Sequence, residues 1–182
     1  MNCATPIAQR GFTIHEVTVT IVLLILALLS ASELFGSNQD LSNETRAYMR
    51  AEAEHRRNLV ALSNVFRTVD IQTLAGFDIK GVSTNPHFSR VTGAALDDRT
   101  YAGDEQLLWV PTPRDVPGVQ SPGAVYLVSD GRRELVANRV PAGGFAVRQQ
   151  GQNMLINLTT YYLTSASKLV KTSSAAVVSL RN

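Results

Sequence analysis

Gln9-Arg10-Gly11-Phe12-Thr13-Ile14-His15-Glu16, followed by the run VTVTIVLLILALL at residues 17–29, is the stretch that decides the fold. One base precedes it, one acid lies inside its first turn, and apolar residues follow. Phe12 to Leu29 counts 18 residues, about 27 Å as a helix, close to the thickness of a bilayer's hydrocarbon core. Thr18, Thr20 and Ser30 are tolerable in such a helix because their hydroxyls can bond back to its carbonyls. A secretory signal peptide fits this run, with Arg10 as its basic region and Ala27 or Ser30-Ala31-Ser32 as a cleavage site. So does a plain signal anchor. Neither uses Glu16. A carboxylate within a membrane helix costs about 2.5–3.5 kcal/mol on insertion scales, so it calls for a partner. With Arg10 before the run and Glu33 and Asp40 the first charges after it, the leader is expected on the cytoplasmic side and the rest outside.

Going outward, no proline interrupts the chain between Pro6 and Pro86, so one long helix is allowed. Residues 44–62 are rich in Ala, Arg, Glu and Leu, which favour helix. Leu41, Tyr48, Leu59, Leu62, Phe66 and Val69 fit a seam of alternating three- and four-residue steps. Thr45, Glu52 and His55 are its weak members, with His55 expected in solvent. Arg50–Glu54 and Glu52–Arg56 are spaced as i,i+4 pairs. Gly36, before Ser37-Asn38-Gln39-Asp40, is a soft spot in an otherwise continuous helix. The helix is expected to reach about Val69, with Gly76 as a stop. From about Leu59 onward its apolar residues are dense enough to lie on a sheet, while residues 37–57 read as a polar stalk.

After Gly76 the period changes. Residues 76–104 read as a loop with one or two short strands. Short β-branched runs follow at 107–110, 124–129, 134–140, 145–148, 154–163 and 175–180, separated by Pro and Gly. Asp130-Gly131 between two of them is a hairpin signal. A helix followed by such strands predicts an α+β fold, a long amino-terminal helix packed on a carboxy-terminal antiparallel sheet. Either the Leu155 set or the Ile156 set of alternate residues faces inward.

The composition offers little chemistry. Of 182 residues, 17 are Lys or Arg and 15 are Asp or Glu, a net charge of +2 that argues against a nucleic-acid partner. Cys3 is the only cysteine, so no intrachain disulfide and no thiolate metal site can form. His15, His55 and His87 lack metal-ligand spacing. Asp97-Asp98 and Asp104-Glu105 read as solvated turns rather than calcium ligands. No nucleophile elbow, phosphate loop or dinucleotide fingerprint occurs, so neither an enzyme nor a cofactor is expected.

Gly11-Phe12-Thr13-Ile14-His15-Glu16 resembles the cleavage and methylation motif of type IV prepilins and pseudopilins. The resemblance implies a pilin-like fold and four segments: a cleaved leader at 1–11, a transmembrane helix at 12–35, a helical stalk at 36–75 and a periplasmic or extracellular head at 76–182. It implies cleavage between Gly11 and Phe12 and N-methylation of Phe12, both by a prepilin peptidase and methyltransferase. Glu16 falls on the fifth mature residue, whose family role is to pair with the amine of a neighbouring subunit. Two charges that are costly in oil then neutralise one another between chains and fix their stagger. The implied protein is a minor subunit of a type IV pilus-like or type II secretion pseudopilus-like filament, held in the inner membrane before assembly, with other pilin or pseudopilin subunits as partners. His15 departs from the apolar residue usual at its place, and the proline that related major pilins often carry is replaced by Glu33. Residues 56–76 and Ser179-Leu180-Arg181-Asn182 look most like W-type minor pilins or J-type pseudopilins. A membrane-tethered periplasmic binding module that never polymerises is the alternative.

Overall fold

The computed structural model describes residues 13–91, 103–164 and 167–180. Its architecture is α+β. One long helix, α1 (Ile14–Arg67), precedes a 3-10 turn (Ile71–Thr73) and two antiparallel four-stranded sheets. This is consistent with the pilin-like arrangement expected from the resemblance. Two compact units divide the chain, Met1–Thr45 and Arg46–Asn182.

In the first unit α1 passes through Gly36 without a break, and a Cβ there would meet nothing within 4 Å. The hydroxyls of Thr18, Thr20 and Ser30 donate to the carbonyls of Ile14, Glu16 and Leu26 at 2.8, 2.7 and 3.0 Å. The polar groups of the apolar run are therefore satisfied within the helix, as hydrocarbon surroundings require. Val22, Leu23, Leu24, Leu26, Leu28 and Leu29 are all exposed, and no described residue covers them. By length and composition this helix is compatible with a single membrane span.

In the second unit the strands are β1 (Val82–Ser83), β2 (His87–Phe88), β3 (Glu105–Pro111), β4 (Pro122–Ser129), β5 (Arg132–Pro141), β6 (Phe145–Gln150), β7 (Asn153–Leu163) and β8 (Leu169–Ser179). They form one sheet in the order β2-β3-β4-β5 and another in the order β1-β6-β7-β8. The sequence pattern foresaw antiparallel sheet and the two short strands in the 76–104 stretch. It did not foresee the division into two sheets. The β4–β5 hairpin turns at Asp130 (φ 50°) and Gly131 (φ 74°), the pair of positive φ values that a two-residue turn needs to match strand twist. On β7 the inward set is Met154, Ile156, Leu158 and Thr160, so the Ile156 alternative holds.

The helix face on the sheets is Ala47, Ala51, His55, Asn58, Leu62 and Phe66. Leu62 and Phe66 are fully buried, worth roughly 1.5–3 kcal/mol each as removed apolar surface. They share one core with Phe88, Leu107, Val125, Met154 and Ile156, and the Phe66 and Phe88 rings meet at 5.6 Å between centroids. The expected seam holds at Leu59, Leu62 and Phe66 and at its weak member His55, and fails farther down, where Leu41 and Tyr48 are exposed; Val69 is buried but lies beyond the helix end. The buried positions advance mostly in steps of four, the stripe of a helix lying on a sheet and not a three-four seam. Burial also starts earlier than Leu59, at Ala47 and Ala51. His55, expected in solvent, is only 1% exposed.

The helix ends at Arg67, short of the stalk boundary at 75. Thr68 accepts a backbone bond from Val91 at 2.9 Å, and Val69 bridges to Arg90, which pulls the chain into extended pairing. Asp70, fully buried, then caps the 3-10 turn by accepting from the Gln72 amide at 2.9 Å. Gly76 (φ 81°) turns the chain afterwards instead of stopping α1. Of the two i,i+4 pairs, Glu52–Arg56 forms at 2.9 Å. Glu54 bonds Arg139 on β5 at 2.6 Å instead of Arg50.

Candidate assembly site at the helix start

Gly11 and Phe12 lie outside the described residues, as does Asp97-Asp98. Glu16 occupies the first turn of α1. Its carboxylate accepts from the Thr13 backbone amide at 3.0 Å and from the Thr13 hydroxyl at 3.1 Å. The Glu16 amide donates to Thr13 Oγ1 at 3.3 Å, and the Thr13 carbonyl accepts the first helical bond, from Val17, at 3.2 Å. These reciprocal contacts make a capping box, in which a Thr and a Glu three residues on satisfy donors that a helix start leaves free.

Sequence reading missed this pairing, although its signal, Thr13-x-x-Glu16, stood in the motif. The acid has a partner within its own chain, and its negative charge also suits the positive end of the helix dipole. The contact does not fill the carboxylate. Glu16 uses one oxygen, Oε2, for both Thr13 contacts, and an ionised carboxylate offers roughly four acceptor positions. In sequence the box begins directly after Phe12.

The second unit contains further arrangements of titratable groups. His55 bridges α1 to the second sheet, with Nδ1 2.8 Å from Thr160 Oγ1 and Nε2 2.6 Å from Ser174 Oγ. Burial pushes its pKa below the ordinary histidine value, with Glu52 opposing. Glu105, 1% exposed, pairs with Arg90, whose Nη2 lies 2.6 Å from Oε1 and whose Nε also donates to the carboxylate. That bond raises the Arg90 pKa, against the opposing effect of burial. Glu105 is therefore committed to an ion pair rather than standing in the solvated turn expected of Asp104-Glu105. Burial pushes the Tyr161 hydroxyl up, while Arg139 and Arg114 pull it down. Among the described residues no cluster of three His, Cys, Asp or Glu side chains is placed to hold a metal ion.

Comparison with protein-family models, curated proteins and solved structures finds no match to this chain.

Proposed function

We propose that this chain is a structural, minor subunit of a type IV pilus-like or type II secretion pseudopilus-like filament, and not an enzyme. The supporting observation is the acid of the motif, Glu16, placed at the start of an uncovered apolar helix directly after Gly11-Phe12. In this reading a prepilin peptidase removes residues 1–11 on the cytoplasmic side of the inner membrane, and Phe12 is N-methylated. The helix waits in the bilayer with the head on the periplasmic side. Lipid offers no hydrophobic gain for association, so packing and polar pairing must drive assembly. Glu16 then adds to its Thr13 bonds, or exchanges them for, the Phe12 amine of another subunit. The capping box gives the acid a satisfied resting state before a partner arrives, which lowers the cost of holding it in the membrane.

The test separates cap from charge. Glu16→Gln keeps the capping box, since glutamine serves at that position as well as glutamate, but removes the charge. It should insert and be processed normally and fail to enter filaments. Glu16→Ala should lose both, with the helix start weakened by about 0.5–2 kcal/mol. Normal filament incorporation of Glu16→Gln would show that the acid serves only the cap.

A further inference from the structure

A groove of about 610 Å³ opens in the head between the β3–β4 loop and strands β4, β5 and β7. Its volume lies within the range of small-molecule sites, roughly 300–1,000 Å³. Tyr126, Tyr161 and Tyr162 line it, with Asn138 and Arg139 from β5 and Arg114 and Asp115 from the loop.

The groove has the marks of a built site. Gly123 pairs with Val140 and Val125 with Ala137, so Asn138 and Arg139 together stand opposite the single residue Ala124. This is a β-bulge, a device that re-aims side chains and is enriched beside functional sites. Arg139 takes a left-handed backbone (φ 54°), which is unfavourable for a residue with a long side chain. Two helix residues one turn apart brace the bulge. Glu54 bonds the Arg139 guanidinium at 2.6 Å, and the Asn58 amide donates to the Asn138 carbonyl at 3.1 Å. The guanidinium also lies 4.7 Å from the centre of the Tyr162 ring. Backbone strain, ion pair and ring contact together hold one cation at the groove wall.

Charge narrows the ligand. The Arg139 guanidinium is already paired with Glu54 behind the groove, and the exposed loop brings Arg114 together with the opposite charge of Asp115, so the lining is of mixed sign rather than a cluster of unpaired cations suited to a strongly anionic ligand. What remains is a mixture of guanidinium, carboxylate, amide and phenol groups beside aromatic rings. Hydroxyl groups donate and accept at once, so a polyol can use all of them, while its C–H faces lie on the rings. We infer that this groove binds a neutral saccharide of about one to three sugar units. The inference does not depend on the filament reading.

The test uses the full chain in lipid nanodiscs free of sugar detergents. Maltotriose, cellotriose and triacetylchitotriose are titrated by calorimetry and saturation-transfer NMR, with tetraglutamate as an acidic peptide. At least one trisaccharide should bind with Kd of about 0.1–5 mM. Arg114→Ala and Asp115→Ala, both in an exposed loop, should each weaken it at least ~5-fold. Arg139→Gly should abolish binding; glycine accepts the left-handed backbone, and circular dichroism checks that the fold survives. Failure of all three sugars to saturate at high concentration would overturn the inference. So would tighter binding of tetraglutamate, or sugar binding unchanged in all three variants.

Discussion

Replacing His55 with phenylalanine isolates the contact that fastens α1 to the second sheet. The ring keeps its approximate volume, and the bonds to Thr160 Oγ1 (2.8 Å) and Ser174 Oγ (2.6 Å) are lost. Ser174 is exposed and can turn to water. Thr160 is only 5% exposed and cannot, so its hydroxyl is left without its imidazole partner. An orphaned buried hydroxyl costs about 1–3 kcal/mol, which puts the loss near 2 kcal/mol. For a unit of this size the midpoint of thermal unfolding should fall by roughly 5–10 °C. Adding Thr160→Val removes the orphan, and the double variant should recover about 1 kcal/mol relative to the sum of the singles. A pH series adds a second signature. The folded-state pKa of His55 lies below the ordinary value of 6.5 because burial disfavours the imidazolium. On acidification the unfolded chain therefore takes up the proton first. The His55 contribution is complete above about pH 6.5 and is lost as pH falls from there through the lower folded-state pKa. Thermal unfolding of the full chain in nanodiscs, followed by circular dichroism at pH 7.5 and 5.5, reads both effects. A phenylalanine variant within about 0.5 kcal/mol of wild type at pH 7.5, or one with the same acid-induced loss as wild type, would refute the reasoning.

Gly123→Ala places a Cβ 2.5 Å from Cε2 and Cζ2 of Trp109, whose Nε1 donates to the Val140 carbonyl at 3.0 Å. The variant should lose about 1–3 kcal/mol and shift the emission of the sole tryptophan, and an unchanged spectrum and midpoint would contradict the contact. Arg90→Met leaves the Glu105 carboxylate buried without its cation and should cost about 3 kcal/mol by chemical denaturation. Adding Glu105→Leu should restore most of that loss, and a double variant as unstable as the single would count against the pairing.

Much of the fold could be read from the chain because its signals were local. Asp130-Gly131 carries its turn in two residues, and Thr18, Thr20 and Ser30 bond within one helical turn. The helix face was harder. Ala47 and Ala51 carry little apolar area, and His55 and Asn58 look like surface residues, so nothing in their types announces burial. His55 and Asn58 become core through partners far along the chain, Thr160, Ser174 and Asn138. The early end of α1 had a similar cause, since Thr68 and Val69 pair with residues 90–91. The apolar half of β8 was visible, but its first half, Leu169-Val170-Lys171-Thr172-Ser173-Ser174, has too few hydrophobic residues to show a strand. At the candidate site the acid was legible and its cap was not read, although both belong to one six-residue motif. The groove had no sequence signal, because a bulge depends on the register of two strands.

If Glu16 belongs to a processed filament subunit, the mass of the mature amino-terminal peptide will show it. Cells with and without the prepilin peptidase would be compared by mass spectrometry of the purified chain. The filament reading requires a peptide that begins at Phe12 and carries one N-methyl group, and an unprocessed chain when the peptidase is absent. A mature chain that keeps Met1 to Gly11, or one cut near Ser32, in cells with an active peptidase would contradict it.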